Sequence, residues 1–83
     1  MTIEEFITYI ESIGFIYEEQ YSFYRYKCTT IDIVKIKNKY VNKYIFDNRL
    51  HDLNNLTALD KYFKKEIRSI KLKMILEWTE KNL

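Results

Sequence analysis

The first fourteen residues carry apolar side chains at the period of about 3.6 residues that is typical of an α-helix. The apolar series begins at Ile3, recurs every three or four positions and ends at Ile13. Thr2 and Glu5 have the spacing of a capping box, in which each side chain accepts a hydrogen bond from the other residue's backbone. Gly14 follows as the residue that most readily adopts the left-handed conformation at a helix end. The pattern therefore predicts a helix over residues 3–13 with one buried face.

From residue 15 to residue 46 the apolar pattern changes to a period of two, which is typical of β-strands. Tyr24, Tyr26 and Cys28 alternate with Arg25 and Lys27. Short polar stretches interrupt the alternation and predict tight turns. The pattern predicts an antiparallel meander of three long or four short strands over residues 15–17, 21–28, 31–37 and 41–46.

The third of these segments alternates imperfectly. Val34 and Ile36 fall on one face, whereas Ile31 and Ile33 share the other face with two lysines. A β-bulge near residues 33–34 would bring both apolar pairs to one side. The side chains that we expect beneath the helices are Tyr24, Tyr26, Val34, Ile36, Tyr44 and Phe46.

Residues 58–80 predict a long second helix, which follows a polar connection over residues 47–55. Thr57 and Asp60 have capping spacing at its start. Its apolar stripe consists of Leu59, Phe63, Ile67, Ile70, Met74 and Trp78. The chain thus predicts one α+β domain over residues 1–83, in the order α-β-β-β(-β)-α. In this domain a three- to four-stranded antiparallel sheet carries the N-terminal and C-terminal helices on one face.

The C-terminal half of the last helix has a second apolar side. A helix that is apolar on two sides is normally covered on both. Either the helix lies in a groove between the sheet and residues 47–56, or a partner covers it, and a homodimer is one form of the second arrangement. The residues of this candidate interface are Leu72, Ile75, Leu76 and Trp78.

Charged residues are segregated along the chain, although the formal net charge is only +2. The charged residues in positions 1–20 are all acids, whereas those in positions 21–46 are almost all Lys or Arg. Surfaces of opposite sign select different partners. We expect a partner-binding acidic surface, unless its carboxylates are simply solvated or serve the helix dipole. Its members are Glu4, Glu5, Glu11, Glu18 and Glu19.

Alternation places Arg25, Lys27, Lys35 and Lys37 on the sheet face opposite to the helices. A basic sheet face with neighbouring tyrosines can follow a phosphate backbone while the rings stack on bases. A polar face exposed to water is also common in antiparallel sheets. An acidic protein partner is the third interpretation.

The run Lys64-Lys65-Glu66-Ile67-Arg68 adds basic residues on the last helix. Together with the order helix, strand meander, helix, it resembles the second-helix run of the double-stranded-RNA-binding domain family. The resemblance covers the topology of most of the chain but only these five residues in detail. It implies a similar architecture and adds Lys64, Lys65 and Arg68 to the candidate nucleic-acid contacts. The alternative is that they form the solvated outer face of an amphipathic helix. The chain departs from the family because the predicted helix holds these lysines in its interior rather than at its start.

The sequence offers little for catalysis, a metal site or a cofactor. His51 is the only histidine and Cys28 the only cysteine, so neither histidine-based proton transfer nor a set of converging metal ligands is expected. A single glycine excludes a glycine-rich phosphate loop. We expect His51 on a surface loop and Cys28 in the core. An enzyme would need both to meet a carboxylate in one pocket.

No stretch is apolar enough for a membrane span or a signal peptide, and one cysteine allows no internal disulfide. These features predict that the protein resides in the reducing cytoplasm, either of its own cell or of a host.

The excess of Ile, Lys, Tyr and Asn is typical of an A/T-rich genome. In its small size, its amino-acid composition and its lack of catalytic motifs, the chain resembles small accessory proteins of phages and mobile elements, including anti-CRISPR and other anti-defence proteins. The sequence therefore predicts a non-catalytic protein that binds and inhibits a larger host protein, with the acidic surface on a basic, nucleic-acid-handling target. Direct nucleic-acid binding is the alternative.

Overall fold

The computed structural model describes residues 1–81, and in this range one helix, five strands and two further helices follow each other along the chain. Each strand pairs antiparallel with its sequence neighbours, so the order of the strands in the sheet is their order along the chain. The predicted α+β class and element order are confirmed. The elements are α1 (Ile3–Ile13), β1 (Ile16–Glu18), β2 (Phe23–Tyr26), β3 (Thr29–Ile36), β4 (Lys39–Phe46), β5 (Arg49–Asp52), α2 (Thr57–Tyr62) and α3 (Lys64–Lys81).

α1 forms where the local signals predicted it. The backbone N–H of Glu5 donates to Thr2 Oγ1 at 3.1 Å, and the N–H of Thr2 donates to Glu5 Oε1 at 3.0 Å, which completes the capping box. Gly14 ends the helix with a φ of 129°, and its N–H donates to carbonyls of the last turn. The buried residues of the helix are Phe6, Ile10 and Ile13.

β3 and β4 lose their regular register between Ile33 and Lys35. Ile33 pairs with Tyr44, whereas Lys35 pairs with Tyr40, so a step of two residues along β3 spans four along β4. The extra residues lie around Asn42, whose φ is 58°. The predicted bulge is confirmed in its place, but β4 rather than β3 contains the additional residues.

Because β3 itself alternates regularly, Ile31 and Ile33 lie on its covered face, and both are buried. Ile36 is 59% exposed. The expectation that Val34 and Ile36 join the covered face is therefore wrong. The other four side chains expected there do pack in or against the core, namely Tyr24, Tyr26, Tyr44 and Phe46.

The segment 47–55, which we expected to be a connection, contains the edge strand β5. β5 pairs with β4 from Arg49 to Asp52. Beyond it, the N–H of Leu53 donates to the carbonyl of Asn42 at 3.0 Å. Leu53 is only 2% exposed, so this segment contributes to the core as well as to the sheet.

The predicted single C-terminal helix is divided at Phe63, whose φ and ψ are −108° and 32°. The predicted capping pair is wrong, because Thr57 is the first residue of α2 and the N-cap is Leu56, without a side-chain capping bond. The N–H of Thr57 donates to Asn55 Oδ1 at 3.3 Å. Asp60 instead accepts the hydroxyl of Tyr9 at 2.8 Å, which connects α2 to α1. At the division the ring of Phe63 lies in the core among the rings of Phe15, Tyr26 and Phe46.

Tyr44 lies at the centre of the core and is 0% exposed. Its ring centroid is 4.7 Å from that of Phe6 on α1 and 5.1 Å from that of His51 on β5. Its hydroxyl donates to the carbonyl of Asn55, just before α2. Burial raises the pKa of the Tyr44 hydroxyl to about 12. One side chain thus joins α1, two strands and the segment that leads into α2.

α3 extends beyond the rest of the domain. Its 18 residues span about 27 Å, against about 17 Å for the 11 residues of α1. Ile67 and Ile70 pack against the core, but α3 contains no fully buried residue. The molecule accordingly measures 50 Å along its longest axis and 25 and 24 Å along the others.

Gly14→Ala is expected to lower the free energy of unfolding by about 2–4 kcal/mol, because an L-residue is strained at this φ and the added carbon requires repacking. The new Cβ would lie 2.7 Å from Tyr26 Cε1. Urea unfolding followed by circular dichroism measures the change. Thr8→Ala, on the exposed side of α1, serves as control and should change stability little. Equal stability of Gly14→Ala and the wild type would contradict this account.

Tyr44→Phe is expected to lower the free energy of unfolding by about 1 kcal/mol, because the Asn55 carbonyl loses its donor. A pH series adds a second test. The folded protein keeps the Tyr44 proton to about pH 12, whereas an unfolded tyrosine loses it near pH 10. This contribution to stability is therefore complete below pH 10 and is lost as the pH rises towards 12. The variant should lose less stability over that interval than the wild type, whereas Tyr21→Phe, at an exposed ring, should follow the wild type.

Candidate interaction surfaces

The C-terminal half of α3 leaves large apolar side chains in water. Their exposed fractions lie between 60% and 67%. The two-sided burial that the sequence allowed is therefore wrong for this chain by itself, and cover by a partner stays a prediction. These side chains occupy more than half of the circumference of the helix, because Met74 and Trp78 lie on a different side from the others. We call the set Leu72, Met74, Ile75, Leu76 and Trp78 the apolar end of α3.

A groove of about 660 Å³ lies between α1 and the middle of α3. Tyr9, Ile67, Ile70 and Met74 give it an apolar floor. α1 is shorter than α3. The apolar stripe of α3, which begins under α1, therefore continues without cover, and this leaves the groove. Burial and the bond to Asp60 raise the pKa of the Tyr9 hydroxyl at this edge of the floor. We call this site the α1–α3 groove.

The five acids of the predicted acidic surface lie on separate parts of the fold. Glu4 and Glu5 lie at the rim of the α1–α3 groove. The Thr2 N–H engages the Glu5 carboxylate and lowers its pKa. Glu11 is two turns along α1 from Glu4, about 10 Å away along the axis. The groove therefore includes only the first two acids, whereas Glu18 and Glu19 lie at the β1–β2 connection.

The basic sheet residues do not form one surface, so the predicted basic face is wrong. Arg25 pairs with Ile16 and Thr30 on the face away from the helices. Regular alternation from Thr30 places Lys35 on the opposite side of β3, where its Nζ is 4.6 Å from the ring centroid of Tyr40. Lys37 lies in the β3–β4 turn with a φ of 52°.

Lys27 is also absent from that face. It lies in the β2–β3 turn, and its Nζ is 3.6 Å from Glu66 Oε1 on α3. The Tyr26 hydroxyl donates to the same carboxylate oxygen at 3.3 Å. Tyr26 and then Glu66 raise the pKa of the Lys27 ammonium. Lys27 therefore contacts the start of α3, and its side chain stays largely exposed there.

The outer sheet face is mixed in character. One cross-strand row there consists of Ile16, Arg25 and Thr30, and the next contains Asp32, Ile45 and Leu50. Aspartate and exposed aliphatic side chains interrupt the cations, so a phosphate backbone would meet no continuous positive track on this face.

A row of four cations instead follows α2 and α3. Four cations at spacings of three, four and three residues line a groove of about 500 Å³ together with Thr57, Asp60 and Ile67. Within residues 1–81 the ion pairs formed by lysines involve Lys27 and Lys43, so these four cations are not neutralised by an ion pair. We call the set Lys61, Lys64, Arg68 and Lys71 the basic helix stripe.

The sequence predicted only part of this stripe. Lys64 and Arg68 were candidates, whereas Lys61 and Lys71 were missed, although their spacing is visible in the sequence. The division at Phe63 places Lys64 and Lys65 in the first turn of α3, so the expectation that they lie inside a helix is wrong. Cations at a helix N-terminus oppose the helix dipole. Helix stability therefore gives no reason for their position.

His51 and Cys28 do not lie where the sequence predicted. His51 belongs to β5 and is half-buried against Tyr44, so it is not a surface-loop residue. Cys28 is exposed in the β2–β3 turn and is not a core residue. Within the described range 1–81, no three His, Cys, Asp or Glu side chains are grouped as metal ligands.

Comparison with known proteins gives no assignment: no family model, no curated protein and no solved structure matches this chain. Between residues 1 and 81, no helix has the length and apolarity needed to cross a bilayer. The surfaces described above are therefore interpreted from their geometry and chemistry alone.

Proposed function

We propose that this chain is a non-catalytic protein-binding domain, and that the apolar end of α3 with the adjoining α1–α3 groove is its binding surface. The observation that carries the proposal is the exposure of large apolar side chains on two sides of a projecting helix. Contiguous apolar surface of this kind is typical of an interface and disfavoured in a free monomer. A Trp within such a patch adds the residue type most enriched among energetic hot spots.

The narrower hypothesis is that the chain inhibits a larger host protein that handles nucleic acid, as small phage and mobile-element accessory proteins do. Its support is the position of Glu4 and Glu5 at the rim of the α1–α3 groove. The complementary target would place an apolar side chain on the floor of the groove and carry Lys and Arg around that side chain, opposite the two acids. Such charges act mainly on the association rate and weaken as salt increases.

Replacing three residues of the apolar end, Leu72→Gln, Ile75→Gln and Leu76→Gln, is expected to weaken protein binding at least about 100-fold, since central apolar anchors dominate interface energies. Gln favours helices, and the three side chains are exposed, so the fold should persist. Immobilised wild type and variant are compared on nuclease-treated lysates of the source cell and of a host by quantitative mass spectrometry. Titration of each retained protein then gives the dissociation constants.

The matched control is Lys73→Gln with Glu80→Gln, on the polar side of the same helix. This variant should keep most of the binding, because it removes charges but leaves the apolar side chains in place. The proposal fails if the apolar variant retains the same proteins as the wild type, or if the wild type retains no protein from the nuclease-treated lysates.

A second candidate function is direct nucleic-acid binding, and the basic helix stripe is the observation that favours it. Four cations without ion-pair partners in the described chain follow one side of α2 and α3. A helix that presents cations at this spacing can lie along a phosphate backbone. The resemblance of residues 64–68 to the double-stranded-RNA-binding domain family points to the same side of the molecule.

If this candidate is correct, Lys64→Gln, Arg68→Gln and Lys71→Gln should lower the slope of log affinity against log salt by about 0.9 per lost phosphate contact on duplex DNA. Fluorescence anisotropy with labelled duplex RNA, duplex DNA and single strands measures the slope. Arg25→Gln, Lys37→Gln and Lys39→Gln remove the same charge from the sheet and should leave the slope nearly unchanged. A wild-type slope near zero, or equal losses in both variants, would reject nucleic-acid binding through the stripe.

A further inference from the structure

We propose that the unpaired edge of β3 over residues 32–36 binds an extended segment of another protein by strand addition, and that this segment carries an acidic side chain opposite Lys35. Strand addition uses the backbone hydrogen-bonding groups that an unpaired sheet edge leaves free. The site is separate from the surfaces of α3, so it stands or fails independently of the function proposed above.

The second half of β3 has a neighbouring strand on one side only. β3 has eight residues, and β4 pairs with it from Ile31 to Ile36. β2 begins at Phe23 and pairs only with residues 29–31. Within residues 1–81 no strand pairs with residues 32–36 on the side of β2. Alternate residues over about 17 Å of backbone therefore direct their N–H and C=O groups to a side without a strand. We call this stretch the open edge of β3.

The β1–β2 turn does not cover the open edge. The N–H groups of Tyr21 and Ser22 both donate to the carbonyl of Glu18, at 3.1 and 2.8 Å. These bonds close the turn within its own hairpin, and Ser22 has a φ of 57°. The chain before Phe23 therefore belongs to the β1–β2 hairpin and does not extend along β3.

A cleft of about 550 Å³ lies at the open edge. Residues of both sheet faces line it, as expected for a gap in the plane of the sheet rather than a hollow on one face. They include Tyr17, Tyr24, Lys35 and Tyr40 on the face that carries the helices, and Asp32 and Val34 on the other face. An added strand would place successive side chains alternately against these two sets.

Charge favours an acidic side chain on the face that carries the helices. The two ion pairs within residues 1–81 join other lysines to their carboxylates, so Lys35 has no carboxylate partner there. Its Nζ lies 4.6 Å from the ring centroid of Tyr40, and both residues line the cleft. An acidic side chain directly across from Lys35 would form an opposite-charge cross-strand pair, which stabilises strand pairing.

Fluorescence anisotropy of the full chain with two labelled heptapeptides tests the charge preference. The peptides consist of Thr and Val, which favour extended backbone, and differ only in a central Glu or Lys. The wild type should bind the Glu peptide about fivefold more tightly than the Lys peptide. Lys35→Glu should reverse this preference. Lys39→Glu makes the same charge change on the opposite face of the β3–β4 hairpin, since Lys39 pairs with Ile36, and should leave the preference unchanged.

N-methylation of the Glu peptide separates strand addition from binding through side chains alone. A strand at a sheet edge uses only alternate N–H groups. Methylation of one alternate set should therefore weaken binding about tenfold, whereas methylation of the other set should leave it unchanged. In the same complex, hydrogen exchange measured by NMR should slow at residues 32–36 and stay the same in β5.

No binding of either peptide at about 1 mM would overturn the proposal, as would equal tolerance of both methylated sets. A Lys35→Glu variant that still prefers the Glu peptide would also overturn it. Exchange at residues 32–36 that slows with protein concentration in the absence of peptide would identify a second copy as the added strand and reject the separate partner. The Leu72→Gln, Ile75→Gln and Leu76→Gln variant should bind the Glu peptide as the wild type does, so failure at the open edge leaves the function of the apolar end of α3 untouched.

Discussion

The packing of the Tyr44 ring between Phe6 and His51 is the contact on which the rest of the structure depends. It fixes α1 above β4 and β5, and its hydroxyl bond to Asn55 fixes the start of α2. A fully buried aromatic with a satisfied hydroxyl combines a large apolar contribution with a directional one. Tyr44 also pairs with Ile33, in the register in which β3 turns Ile31 and Ile33 to the core. The surfaces of α3 are positioned relative to this centre.

The length of α1 determines which part of α3 can be covered. The core closes at Phe63, and Ile67 and Ile70 still pack against it. After Ile70 the helix continues past the start of α1, so apolar side chains that share its stripe meet water. Nothing local distinguishes Met74 from Ile70 in the sequence, because both occupy the same stripe. Their difference is a property of the assembled fold, and it creates the groove and the apolar end together.

Local signals explain which elements the sequence predicted. α1 has its capping box, its period and Gly14 within fourteen residues, so its bounds could be predicted. β5 was missed because its residues are mostly exposed and backbone pairing with β4 holds it at the edge. The division at Phe63 was missed because the apolar period continues through it. Lys35 was assigned to the wrong face, because the pattern of β3 suggested a bulge in β3 itself. The additional residues instead lie at Asn42 in β4.

The two candidate surfaces on α3 are not independent, because Ile67 and Lys71 line both the α1–α3 groove and the groove of the basic helix stripe. A protein partner in the α1–α3 groove would contact Lys71, which removes one cation from the stripe. A phosphate bound at Lys71 would in turn change the rim that the protein partner meets. If each ligand weakens the other, both are weakened by the same free energy. The sequence predicted part of each surface, but only the fold shows that Lys71, which the sequence prediction did not include, belongs to both.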